Sequence, residues 1–305
     1  MKGLERAYQY YLDVGAPMIH SEFPFFEDRI AVGLVGRGSE CWGYDDDTSL
    51  DHDNAVGFCL WLTAQDYRRI GKDLEIAYRA LPRPSASVHT GMGSEERGVK
   101  PIGDFFRPYV GELPQNNLDW LRLDERYLAE ATNGKVWRDD LGEFSRVRNA
   151  LLDMPKDVRL QKTAAHAIFA AQSGQYNYPR CVSHGQLAAA AYAKGEFCYH
   201  VVHLACLLAG RYAPYYKWMY RALDEFELGK ALRPHLERLA TQAVQADKVA
   251  QDIEAIDAIA AIVIAELRRQ DLSAAPNDYL EPHAYQIRRG IQDPEIKALH
   301  VMTGV

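Results

Sequence analysis

The stretch Gly36-Arg-Gly-Ser-Glu-Cys-Trp-Gly-Tyr-Asp-Asp-Asp-Thr-Ser-Leu-Asp-His-Asp53 decides how this chain is read. It joins two β-like runs, Arg29-Ile-Ala-Val-Gly-Leu-Val35 and Asp51-His-Asp-Asn-Ala-Val-Gly-Phe-Cys-Leu-Trp-Leu62. Gly38-Ser39 thus follows one predicted strand, where a glycine lets backbone N–H groups come close to a phosphate. Asp51 and Asp53 open the next strand. Side chains at i and i+2 on a strand share a face, so two carboxylates stand side by side as oxygen ligands for Mg2+. A metal held in that way bridges triphosphate oxygens and offsets the charge of phosphoryl transfer. The plainer reading is a solvated acidic loop continuing from Asp45, Asp46 and Asp47. The run Ala55 to Leu62 is too apolar for that, and carboxylates heading a buried strand are costly unless they bind something. Asp45 to Asp47 themselves read as surface or turn residues. His52 faces away from its two neighbours and reads as a core-side hydrogen-bonding histidine.

Working outward, residues 3–20 pattern as a helix closed by Gly15 and Pro17. Thr63 caps a helix that runs to about Leu81, where Pro82 and Pro84 break it. Gly98 to Gly103 is a strand candidate weakened by Pro101. A helix follows Asp119, then comes the run Lys135-Val-Trp-Arg-Asp139, with a turn at Leu141-Gly142. Beyond Pro155 strand signals vanish. Residues 157–172, 182–210 and 215–226 pattern as helices, and Val249, Ile253, Ile256, Ala260, Val263 and Leu267 form the stripe of an amphipathic helix. The expectation is an α/β (α+β) domain with a small mixed sheet over 1–150 and an all-helical domain over 151–305.

The 305 residues are 48% hydrophobic and 25% charged, which excludes collagen-like and largely disordered classes. A total of 35 Lys and Arg against 42 Asp and Glu gives a net charge of −7, which disfavours a general nucleic-acid coater. Five cysteines, odd in number and without a CxxC pair, read as reduced thiols of a cytoplasmic protein. The longest apolar run, Ala258 to Ala265, is far short of the ~20 residues a membrane span needs. The apolar stripe near the C-terminus leaves a homodimer open.

A Gly-Ser at a strand end, a spacer, then Asp-x-Asp on the next strand resembles the polymerase-β-type nucleotidyltransferase superfamily. The resemblance implies transfer of a nucleoside monophosphate from an NTP to an acceptor, with release of pyrophosphate. The likeness extends to an uncharacterised bacterial family, domain of unknown function 4037. Its pattern is similar to Gly38-Ser-Glu40, Gly43-Tyr-Asp-Asp46, Ser49-Leu-Asp-His-Asp53, Phe105-Phe106, Val136-Trp-Arg-Asp139, Tyr176-Asn177, Arg180 and Arg211-Tyr-Ala-Pro-Tyr-Tyr-Lys-Trp218. Many superfamily members carry a third carboxylate on the strand after the first long helix. Here that position falls near Lys100, with Asp104 and Asp139 the nearest acids.

The expected enzyme binds NTP through Gly38, Ser39, Glu40 and Ser49, holds Mg2+ (or Mn2+) on the catalytic pair Asp51 and Asp53, and works on a small-molecule or protein acceptor. Tyr176, Asn177 and Arg180, in a break between helices, read either as ligand contacts, with Arg180 pairing with a phosphate, or as a helix-cap and packing cluster. Lys217 sits among Tyr212, Tyr215, Tyr216 and Trp218, an aromatic patch that stacks a base or glues two helices together. A general base for the acceptor hydroxyl is sought in the helical half, where Glu196 is the candidate carboxylate. His166, His184, His200 and His203 have no metal-motif spacing and read as ordinary histidines. Two rival readings stand beside this one. The first is a catalytically degenerate nucleotide-binding module lacking the third acid. The second is a toxin-type nucleotidyltransferase acting on RNA or protein, which requires a basic groove.

Overall fold

The computed structural model describes residues 1–46, 56–82 and 97–305. In chain order it begins with α1 (Gly3–Tyr10), a π-helical turn (Tyr11–Gly15), α2 (Ala16–Glu22), β1 (Ala31–Leu34), α3 (Ser39–Trp42) and β2 (Cys59–Leu62). There follow α4 (Ala64–Ala80), β3 (Gly98–Pro101), α5 (Ile102–Val110), α6 (Asn117–Leu121), α7 (Glu125–Thr132), β4 (Lys135–Arg138) and α8 (Glu143–Leu152). The rest is helical: α9 (Lys156–Ala170), a π-helical segment (Ala171–Asn177), α10 (Tyr178–Ser183), α11 (Leu187–Leu208), α12 (Tyr216–Ala222), α13 (Glu227–Thr241), α14 (Val249–Arg269), α15 (Leu280–Arg288) and α16 (Pro294–Ala298). The chain is mixed α/β and mostly helical. It divides into two compact units, residues 1–113 with 127–153, and residues 114–126 with 154–305.

The first unit is built on a four-stranded sheet of order β3-β2-β1-β4. β1 pairs antiparallel with β2 and β4, and β2 pairs parallel with β3. A parallel pair needs a crossover, and α4 supplies it. Its start was legible: Thr63 Oγ1 accepts the backbone N–H of Asp66, and the Asp66 carboxylate receives two guanidinium hydrogen bonds from Arg29 at 3.0 and 2.9 Å. All four residues of β2 are buried, as expected of a strand covered on both faces. Leu60 and Leu62 join Tyr11, Met18, Ile19 and Leu74 in one core. Trp61 stacks on Phe144 at 3.8 Å and meets Phe105 edge-on at 5.2 Å.

The first helix does not close at Gly15 and Pro17. It passes from α1 through the π-helical turn into α2. Gly15 is there because a Cβ would come within 2.4 Å of the Phe58 ring, and Pro17, which has no N–H to continue the ladder, follows the widened turn. Of the expected strand 51–62, regular pairing begins at Cys59, and residues 51–55 lie outside the described ones. The 98–103 strand is shorter than expected. It ends at Pro101, on the sheet edge, where a residue without an N–H is tolerated.

In the second unit α9 packs against α11 and α15. α11 is buried over most of its length, from Phe197 through Leu208 almost without interruption. The stripe on α14 is buried at Ile256, Ala260, Val263 and Leu267, and the same helix buries Asp252, which accepts hydrogen bonds from the Tyr178 hydroxyl and Lys194. No helix among the described residues is long and apolar enough to cross a membrane.

Candidate functional site

Among the buried polar side chains, one group in each unit is of chemical interest. In the first unit β1 runs out into Gly36 and Gly38, whose φ angles of 119° and 110° only glycine adopts without strain. Ser39 follows at the start of α3, buried, and its Oγ has no hydrogen-bond partner among the described residues. Glu40 is also buried and forms an ion pair with Arg97. Burial pulls the Arg97 guanidinium down to about 10. Asp45, expected at the surface, is buried too. Its carboxylate accepts the backbone N–H of Gly3 at 2.8 Å, and its carbonyl accepts from Lys2, so the N-terminus of α1 needs it there. Ser49, Asp51, His52 and Asp53 lie outside the described residues. β3 reads Gly-Val-Lys-Pro, with Lys100 opposite Trp61 and no carboxylate. Asp104 is paired with Arg107, and Asp139 accepts the backbone N–H of Ser145 at 2.7 Å in the first turn of α8.

The residues assigned to ligand binding in the helical half are scattered. Asn177 does not sit in a helix break: α9 continues through the π-helical segment into α10, because the widened turn brings Gly174 against Phe197, where a Cβ would lie 2.3 Å from the ring. Arg180 is exposed, its guanidinium 5.0 Å over the Tyr176 ring. Lys217 is exposed on α12, beside Trp218. Tyr216 is 64% exposed, so the aromatic patch is surface and not core. Among the described residues no hydrogen bond or ion pair joins Asn177, Arg180 and Lys217 to one another.

The second group was not foreseen. Glu125 opens α7, His166 lies on α9 one turn beyond Lys162, and His200 and His203 lie one turn apart on α11. All five are buried. The Glu125 carboxylate meets His203 Nδ1 at 2.9 Å through Oε2 and His166 Nε2 at 3.3 Å through Oε1. His166 Nδ1 is 2.9 Å from His200 Nδ1, and His200 Nε2 is 3.6 Å from the half-exposed Glu196. Glu196, the expected base, is therefore the outer end of this chain of groups. Lys162 Nζ stands 3.9 Å from Glu125 and donates to the carbonyls of Leu123 and Gly304. The rings of His166 and His203 stack at 4.9 Å, and Phe169 stacks on His200 at 4.7 Å.

Burial pushes the Glu125 carboxyl up, but the facing imidazoles of His166 and His203 outweigh it and hold the group well below the usual carboxylate range. Burial lowers His166 to about 4 and His200 to about 3, so both rings are neutral near pH 7. His203 Nε2 is buried with no hydrogen-bond partner among the described residues. A pocket of about 580 Å3 opens beside the cluster, lined by Glu125, His166, His203 and Tyr199 with Leu118 and Leu121 among its apolar walls.

A carboxylate and two imidazoles converging on one point can hold a metal ion or a proton network. Their donor atoms lie within 4.8 Å of one another. Motif spacing misses them because they come from three helices, separated by 41 and then 37 residues. The usable signal was titratable side chains inside apolar helical runs, Ala164-Ala-His-Ala-Ile168 and Val201-Val-His-Leu204, where an unpaired polar group is costly.

Residues 120–219 match the model of a family described as a domain of unknown function (DUF4037). The match covers about a third of the chain and supports that part of the resemblance. It contains Glu125, His166, Asn177, Arg180, Glu196, His200, His203 and Lys217, whereas Gly38 and Ser39 lie before it. No curated protein and no solved structure gives a significant match.

Proposed function

We propose that the chain is a nucleotidyltransferase, moving a nucleoside monophosphate from an NTP to a small-molecule or protein acceptor. The observation that carries this reading is Ser39: a buried hydroxyl without a partner among the described residues, behind a glycine of φ 110° at the end of β1. A buried hydroxyl left unmatched costs stability, and a phosphate oxygen is the acceptor that such a backbone turn suits. The order of elements around it supports the same reading. The strand before Ser39 pairs antiparallel with the strand that follows residues 51–53, then come the long helix α4 and the parallel strand β3.

In this reading Ser39 donates its O–H to the triphosphate and Gly38 keeps that approach clear of a Cβ. Asp51 and Asp53 are the Mg2+ ligands, the ion supplying charge neutralisation on the phosphates; they lie outside the described residues. Glu40, expected among the nucleotide contacts, forms an ion pair with Arg97.

The test is incubation with each labelled NTP and Mg2+, scoring pyrophosphate release with a metabolite extract as acceptor pool. Release that is lost in Asp51→Asn with Asp53→Asn supports the reading, and release undiminished in that variant overturns it. The absence of a carboxylate on β3 favours a second reading, a nucleotide-binding module without turnover. NTP binding by calorimetry with no pyrophosphate from any acceptor pool would select it.

A further inference from the structure

We propose that Glu125, His166 and His203 form a binding site for a divalent transition-metal ion of the zinc class, with one coordination position open to the adjoining pocket. The inference does not rest on nucleotidyl transfer. It rests on three donor atoms from three helices, within 4.8 Å of one another, all buried. Ligands of a tetrahedral zinc ion with bonds near 2.1 Å stand about 3.4 Å apart. His166 Nε2 stands 3.3 Å from Glu125 Oε1 and His203 Nδ1 2.9 Å from Glu125 Oε2, and with donors up to 4.8 Å apart the widest pair closes by up to about 1.4 Å on binding.

Hydrogen positions distinguish a closed proton network from a metal centre. Without a cation, Glu125 accepts N–H from His166 Nε2 and His203 Nδ1. His166 Nδ1 then accepts from His200 Nδ1, which leaves the His200 Nε2 lone pair facing the Glu196 carboxylate 3.6 Å away. It also leaves His203 Nε2 as a buried lone pair with nothing to accept among the described residues. A cation between Glu125 and the two rings reverses the order. His166 donates from Nδ1 to His200 and His200 turns its Nε2–H toward Glu196, while His203 Nε2 faces no acceptor among the described residues in either arrangement. A ligating histidine whose other nitrogen donates to an outer group is the usual arrangement behind a metal site.

The donor set selects the metal. Two imidazoles and one carboxylate suit Zn2+, Co2+, Fe2+ or Mn2+, while Mg2+ and Ca2+ take oxygen ligands. Three protein ligands with a free position facing a cavity is the pattern of a reactive metal centre, and a closed structural site would have a fourth residue. Lys162 does not fill that position. Its amine is occupied by the carbonyls of Leu123 and Gly304, which two N–H groups satisfy.

The experiment is titration of chelator-treated full-length protein with Co2+, followed by visible absorption, and competition with Zn2+. The expected result is one Co2+ per chain with the strong bands of four- or five-coordination. Glu125→Gln is expected to weaken Zn2+ binding at least about 100-fold, and Glu196→Gln, outside the ligand set, about tenfold. Equal Zn2+ affinity in wild type and Glu125→Gln overturns the site, as does a Co2+ spectrum no different from the aqueous ion. If Glu125→Gln fails to fold, X-ray absorption of the Zn2+-loaded wild type decides. Two imidazoles in the shell support the site, and a shell with sulfur or without imidazole overturns it.

Discussion

The Gly38-Ser39 turn and the Glu125-histidine cluster are opposite cases of how a chain assembles chemistry. The first is contiguous: a strand ends at Leu34, four residues turn, and a hydroxyl is left buried and unmatched among the described residues. The second draws one carboxylate and three imidazoles from helices α7, α9 and α11. A contiguous site is written as a motif and is found by reading. A dispersed one is visible only after the helices have packed, yet it is the one whose donor atoms and distances are complete. What reading along the chain catches is proximity in sequence, and proximity in sequence is only one way to bring polar groups together.

The comparison can be broken first at the contiguous site. On the proposed function, Asp51→Asn with Asp53→Asn is expected to cut pyrophosphate release at least about a thousandfold, since an ion bound there would supply several kcal/mol of charge stabilisation. Retained release would leave Gly38-Ser39 as a structural turn. At the dispersed site, Glu125→Ala strands the buried Lys162 and two imidazoles without their carboxylate. Removing one partner from a buried ionic group costs about 3–5 kcal/mol, and urea denaturation should show a drop of that size. A change below about 1 kcal/mol would mean that water enters the cluster freely.

A sharper contrast comes from Ser39→Ala. The hydroxyl is buried with no partner among the described residues, so removing it should not destabilise the chain and should raise its stability by about 1 kcal/mol. Nucleotide affinity should fall roughly tenfold if the O–H meets a charged oxygen. The reverse pattern, lost stability with unchanged binding, assigns Ser39 to the fold.

The smallest effects lie in the scaffold beside the turn. Thr63→Ala should cost about 1 kcal/mol by removing the cap of α4. Burial pushes Asp66 up, but hydrogen bonds from Arg29 and Thr63 outweigh it and hold its carboxyl below the ordinary range. A depressed carboxyl contributes stability that is present above the ordinary value near about 4 and lost as pH falls through the depressed one. Asp66→Asn should therefore flatten the acid limb of the stability profile below about pH 4, and an unchanged limb would place that titration elsewhere.

Much of the scaffold was legible. Thr63 with Asp66, the apolar run ending at Leu62 and the stripe on α14 each state their structure locally, through a cap, a strand covered on both faces and a helical period. Gly15 and Pro17 misled because their usual effect on a helix was overridden by the packing of Phe58, a contact 43 residues distant from Gly15. Asp45 misled in the same way, since its partner is the backbone of Gly3. Of the candidate sites, the turn at Gly38 was legible from its glycines, while the burial of Ser39 was not. His166, His200 and His203 were not, because isolated histidines on helices carry no spacing that forecasts a shared carboxylate.

The π-helical segment Ala171–Asn177 carries a further consequence. Such a turn amounts to one residue inserted into an α-helix. Deleting a single residue between Ala171 and Asn177 would remove the widened turn and leave the helix after it close to its present phase. Tyr178 would stay on Asp252, and Tyr176 and Arg180 would stay on the outward face. What would be lost is the bulge itself and the place it makes for Gly174 against Phe197. A relative one residue shorter there should keep residues that match Tyr178 and Asp252.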